Sequence, residues 1–342
     1  MEKLQAYLPG FALTASLALM AMILGNFFPL IGSSVFAIIL GILVNNLFGL
    51  KEGFQAGVAF SGKKILQYSI IVLGFSMSIQ EVSKTGLSSL KISITTILIS
   101  FMVSYLVGRW LKLSKNLETL IGFGTAICGG SAIAAASPIL EAEDDEIALS
   151  MSTIFLFNII AVFLFPALGH LMQMSDYNFG LWAGTAVNDT SSVVAAGYSY
   201  SRKAGDFATI VKLARALMIV PSCLILAGLK FYQSRKSQQN FSFMKIFPWF
   251  ILWFVVTSIL SSLGIFPRVA IPYAKSVSQF LMAMALAGIG CKVSFQQFRK
   301  AGHKPLLTGL ITWAAVAGSS LILQYFVFWG HAFVMITCYN GY

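Results

Sequence analysis

Gly184-Thr-Ala-Val-Asn-Asp-Thr-Ser-Ser192 places a carboxylate in the middle of an apolar segment. Phe179 to Gly197 is otherwise fit for a membrane interior, yet Asn188, Asp189, Thr190, Ser191 and Ser192 interrupt it. Ionisable groups at bilayer depth are costly and are kept where they line a pathway or pair internally. The same words stand earlier, in Gly124-Thr-Ala-Ile-Cys-Gly-Gly-Ser-Ala-Ile-Ala-Ala-Ala136. Aligned with Gly184 to Ala196, six of thirteen positions are identical. Two polar or Gly-rich breaks in matching hydrophobic segments point to the binding site of a secondary transporter.

Composition agrees. Of 342 residues 57% are hydrophobic and 10% charged, with a mean hydropathy of +0.82, whereas soluble domains carry roughly 25% charged residues. Hydropathy marks eleven apolar segments: 8–28, 30–50, 64–82, 86–108, 117–140, 147–169, 179–200, 207–231, 246–264, 270–291 and 305–331. Most reach the ~20 residues that span a hydrocarbon core. The expectation is an all-α polytopic membrane protein, one integral domain over 1–342, in the cytoplasmic membrane. The first segment is too long for a signal peptide and lacks a cleavage site, so it is expected to stay.

A net charge of +11 is spent on topology and not on nucleic acid. With the N-terminus and every even-numbered loop on one side, that side carries fifteen Lys and Arg and the other six. Lys212 and Arg215 fall inside a segment and complete the 23. The positive-inside rule then puts the N-terminus in the cytoplasm and, after eleven crossings, the C-terminus outside. Gln238 is expected on the cytoplasmic side and Tyr342 on the other.

Segments five and seven carry the two breaks. If both span they run parallel; if both are re-entrant they enter from opposite faces. Broken backbone at this depth must be buried in protein or line water, so both arrangements bring the motifs to a central site. A looser repeat relates Gln67–Ile79 to Ser278–Val293, in segments that cross in opposite directions, the pattern of an inverted repeat.

Cys128-Gly129-Gly130-Ser131 supplies glycines where a helix needs none, allowing one half-helix to end and another to start. Amides from Ser131 onward would bind an anion at the new N-terminus; tight packing through small residues is the plainer use of such a stretch. Asn188 to Ser192 could form a hydrogen-bonding pocket. Asp189 would couple to a proton or cation, or form a buried salt bridge. Lys212 and Arg215 share one helix face and would attract an anion, Arg offering a planar fork, or else neutralise Asp189 or snorkel. Asn158 reads as an interhelical bond, and the acidic run Glu141–Glu146 as a solvated loop. No metal, redox, catalytic or ATP-binding motif is legible, so neither an enzyme nor a cofactor is expected.

Gly122 to Ala135, Leu181 to Val194 and Val211-Lys-Leu-Ala-Arg215 together resemble the YeiH-type sulfate exporter family. That family is distantly related to the sodium/proton antiporter and bile-acid symporter superfamily. The resemblance implies inverted repeats, an alternating-access core and export of sulfate or a related sulfur oxyanion or organic anion. Where such sequences often carry His, this chain has Asn188, which weighs against a titrating imidazole there. A passive anion channel and a sodium- or proton-coupled organic anion symporter are the alternatives. The partners admitted are the bilayer, a coupling proton or sodium ion, and further copies of the chain.

Overall fold

The computed structural model describes residues 2–28, 32–233, 247–293 and 302–339, and among these there is no strand. Gln238 and Tyr342 lie outside the described residues. Among the described residues the α-helices, in order, are α1 (Glu2–Phe27), α2 (Gly32–Leu43), α3 (Glu52–Phe60), α4 (Leu66–Gly74), α5 (Ile79–Trp110), α6 (Lys115–Ala126), α7 (Gly130–Leu140), α8 (Asp144–Leu171), α9 (Asp176–Ala186), α10 (Thr190–Tyr200), α11 (Arg202–Ala216), α12 (Ile219–Gln233), α13 (Trp249–Ser262), α14 (Ile271–Gly290) and α15 (His303–Tyr339). Six stretches of the described residues, including Ile79–Trp110 and Asp144–Leu171, are long and apolar enough to cross a membrane.

Segment three is displaced from its expected place. A π-helical turn, Ser61–Ile65, joins α3 to α4, so the helix runs from Glu52 to Gly74 instead of 64–82. Lys63 and Lys64, which dilute the local hydropathy, sit exposed on its outer side, as long cationic side chains do.

Two packed layers emerge from the contacts. One holds α1, α2, α3–α4, α13 and α14; the other holds α5 to α12 with α15. They meet chiefly where α10 lies on α2 and α13 on α5. In the first layer Ser278 Oγ donates to the Ser69 carbonyl at 2.7 Å, and α14 runs antiparallel to α4.

The decisive local fact is where the broken segments begin and end. Glu146, at the start of α8, accepts from Ser114 Oγ and from Asn116 Nδ2 (3.2 Å) at the start of α6. Only Glu141–Glu143 separate α7 from α8. Segment 117–140 therefore enters and leaves on one face of the molecule, here called face A. At the opposite face B, Ser201 Oγ, just after α10, donates to Asp176 at the start of α9. Tyr200 OH donates to the Met174 carbonyl, and the Tyr200 ring stacks on His170 at the end of α8. Segment 179–200 likewise enters and leaves on face B. Both broken segments turn back on themselves as helical hairpins, which decides between the two arrangements that the sequence leaves open.

α5 is the spine against which both hairpins are set. Its buried stripe of Ser89, Ser93, Thr96, Ser100 and Ser104 lets neighbours approach closely, as small residues do between membrane helices. Ser104 Oγ donates to the Glu118 carbonyl at 2.6 Å and Ser100 Oγ to Gly122 at 3.2 Å, fixing α6 on the A half. Ser88 Oγ meets Tyr177 OH at 3.2 Å and Ile92 packs with Leu181, fixing α9 on the B half.

Candidate functional site

Each hairpin arm has 11 or 12 residues, about 17 Å at ~1.5 Å per residue. That is roughly half of a ~30 Å hydrocarbon core. The two tips therefore meet near the middle of the molecule. The offset of sixty residues that relates the sequence motifs is also the register of the breaks. Ile127 corresponds to Val187, Cys128 to Asn188 and Gly129 to Asp189.

Lys212, on α11, joins the tips. Its Nζ donates to the Ile127 carbonyl at 2.7 Å and to the Val187 carbonyl at 3.0 Å, and the side chain is 0% exposed. These carbonyls end α6 and α9, where the helix dipole is negative. Arg215, also 0% exposed, sits one turn on; Nε donates to the Ala126 carbonyl at 2.6 Å and Nη2 to Thr125 at 3.4 Å, while Nη1 is unpartnered. Both cations are thus held on main-chain oxygens. Neither forms an ion pair with Asp189; among the described residues the ion pair is Lys275–Asp206. The buried salt bridge that was the alternative reading of Asp189 is not formed with Lys212 or Arg215, whose partners are half-helix carbonyls.

The positive ends differ between the hairpins. Asp189 is the N-cap of α10: its Oδ2 accepts from the Ser191 amide at 3.0 Å and also from Ser191 Oγ. At the matching place before α7 stands Gly129, with no side-chain cap. Its φ of +68° and ψ of −132° lie in territory essentially reserved for glycine. A methyl group there would also stand 3.2 Å from Asp189 Cβ. Gly130 is not constrained in this way, its added methyl meeting only Phe155 at 3.7 Å.

Of the expected site residues, Cys128, Asn188, Ser191 and Ser192 are buried at the tips, Thr190 is half-buried, and Ser131 is exposed in the first turn of α7. Asn188 is buried with neither side-chain heteroatom partnered. Asn158, on α8, is a tip residue that the sequence reading set aside. Its Oδ1 accepts from the Asp189 amide at 3.2 Å, and its unpartnered Nδ2 lies 3.6 Å from where a Gly129 Cβ would be. Its signal was the lone amide within Phe155–Phe165. Among the described residues no group of three His, Cys, Asp or Glu could hold a metal ion.

A family model described as "Conserved hypothetical protein 698" matches residues 9–309. The chain belongs to this family. Its relatives include a UPF0324 membrane protein of Streptococcus agalactiae serotype V, 43% identical over 326 residues, covering 93% of this chain and 96% of the relative. A UPF0324 membrane protein of Clostridium tetani is 41% identical over 336 residues, covering 94% and 97%. Among solved structures, a sodium proton antiporter from Methanocaldococcus jannaschii aligns over 94% of this chain and 99% of its own, at 13% identity and a TM-score of 0.30. That likeness is too weak to carry a fold across. The UPF0324 relatives and the long apolar helices agree that this is a multi-pass membrane protein.

Proposed function

We propose that this UPF0324 protein is a secondary carrier for a small anion, sulfate or a related sulfur oxyanion or organic anion, working by alternating access. The observation that supports this most is the meeting of two opposed half-length hairpins around buried cations. Four half-helix termini converge there, and such termini are what membrane carriers use to hold ions at mid-depth. Lys212 and Arg215 supply positive potential while holding the tips together. The uncapped start of α7, with Ser131 and the Asn158 amide, is the seat for the anion, and Asn188 to Ser192 form the opposite wall. Asp189 couples to a proton or sodium ion. Export follows from the family resemblance alone.

In this reading nine segments cross the bilayer and the two hairpins are re-entrant, as an inverted repeat requires. The charge argument survives the change. The loops at 141–146 and 170–178 contain no Lys or Arg, so moving them between faces leaves the fifteen-to-six bias intact. Face A is then cytoplasmic.

Single cysteines in a background lacking Cys128, Cys223, Cys291 and Cys338 test the topology. Cysteines at Lys115 and Asp145 are expected to label from the cytoplasm, and those at Met172 and Lys203 from outside. Eleven full crossings would instead pair Lys115 with Met172 and Asp145 with Lys203, and that pattern would remove the re-entrant hairpins.

Flux of labelled sulfate and other oxyanions into vesicles holding the purified protein tests the function. Saturable flux is expected, lost in Gly129→Ala and retained in Gly130→Ala. A non-Gly residue at such a φ, ψ costs about 1–3 kcal/mol, and the added methyl presses on Asp189 where the tips must meet. Flux that never saturates, or a Gly129→Ala variant as active as the parent, would dismiss a gated site at the tips.

A further inference from the structure

On face B a cavity with an open volume of about 380 Å³ lies in the seam between the two layers. From the first layer it is lined by Asn26, Ser34 and Gln279, on or beside α1, α2 and α14. From the second it is lined by Tyr198 and Ser199 of α10 and by Arg202 at the start of α11. Among the described residues of the lining Arg202 is the one charged side chain, and the rest of the polar wall is hydroxyl and amide. A lone guanidinium among neutral donors suits an oxyanion, whose oxygens accept from a planar fork and from hydroxyls.

Two features tie the cavity to the rest of the molecule. Its α10 wall leads from Tyr200 down to the Asp189 cap, so the cavity and the tip site share one helix. Beside it runs the Lys275–Asp206 ion pair, at 3.2 Å, from α14 in the first layer to α11 in the second. Tyr198 OH, from the cavity wall, donates to the same Asp206 carboxylate. The ion pair therefore bridges the seam that rocking of one layer against the other would open. Asp176 is the other carboxylate near the mouth, held by Ser201, and Lys203 is exposed beside Arg202.

We propose that this cavity is the outer port of the carrier, an oxyanion site read by Arg202, with the Asp206–Lys275 pair as the latch that holds the two layers together around it. The proposal rests on the anion-carrier reading and adds to it where the anion docks on face B and which contact must break for it to move inward.

The test uses the purified full-length protein in a neutral detergent, so that it does not depend on orientation. A single cysteine at Ser34, in the cysteine-free background, is reacted with a small methanethiosulfonate reagent. Sodium sulfate, phosphate, nitrate, bicarbonate and formate are each added, with sodium chloride as the ionic-strength control. At least one oxyanion is expected to slow labelling several-fold beyond chloride, and Arg202→Gln is expected to abolish that protection. Lys275→Gln, which opens the latch, is expected to raise the unprotected rate several-fold. Protection by none of the anions, or undiminished protection in Arg202→Gln, overturns the port. So does protection only by added phosphatidylglycerol, which would make the cavity a lipid-headgroup site. An unchanged rate in Lys275→Gln overturns the latch. If the tip reading alone is wrong, oxyanion protection persists while Gly129→Ala transports normally, so the two failures are separable.

Discussion

Lys212→Met is expected to abolish transport and to lower the melting temperature sharply, because Lys212 is the pin between the hairpin tips. Methionine preserves most of the stem volume but removes the donor shared by Ile127 and Val187. Hydrogen bonds to a charged group contribute about 1.5–3 kcal/mol each, and two are lost at a side chain that is fully buried. The carbonyl ends of α6 and α9 would then face one another with only Arg215 nearby, and Arg215 serves α6 alone. A second substitution sharpens the expectation. Where a cation and a carboxylate form a buried pair, breaking it by removing one partner costs roughly 3–5 kcal/mol, whereas replacing both is often much milder. Here the partners are main-chain carbonyls, so adding Asp189→Asn to Lys212→Met should restore neither the melting temperature nor flux. Thermal unfolding in detergent, with flux measured on the same preparations, decides it. A double variant as stable as the parent would mean that Asp189 and Lys212 do balance each other, and the capping role would fall.

That outcome also marks what the sequence could and could not tell. The breaks were legible because Gly129 and Asp189 occupy matched places in a repeat of thirteen residues, and polar or Gly-rich interruptions are conspicuous against apolar surroundings. The direction of each hairpin was not. Hydropathy measures apolar length, and the 24 residues of 117–140 read the same whether they cross or turn back. Charge was silent as well, since neither 141–146 nor 170–178 carries a Lys or Arg. The partners of Lys212 and Arg215 were hidden for a different reason. They are peptide carbonyls at Thr125, Ala126, Ile127 and Val187, and any residue supplies a carbonyl. Asn158 was visible as a lone amide, but only the fold brings it beside Gly129 and Asp189. The acidic residue Glu146, read as part of a solvated loop, instead ties α6 to α8.

Asp189→Asn is expected to yield a folded protein that carries no anion, and a short series at this position separates two roles that the carboxylate holds at once. As an N-cap it satisfies the Ser191 amide. Asn and Ser cap about as well as Asp, while Ala costs about 0.5–2 kcal/mol. If capping were the whole role, Asp189→Asn and Asp189→Ser would both transport at the parental rate, and only Asp189→Ala would be impaired through its stability. The proposed coupling role predicts another pattern: Asn and Ser variants with near-parental melting temperatures and no coupled flux, because neither side chain takes up a charge. Anion-protected labelling at the face B port should persist in both, since that port lies at the far end of α10. The asymmetry of the repeat supports this expectation. The first hairpin makes its turn with an uncharged Gly129, so a half-helix start in this fold does not need a carboxylate to form. The acid at Asp189 then has a use beyond closing the turn, and pH-dependent flux in Asp189→Asn equal to that of the parent would show that it does not.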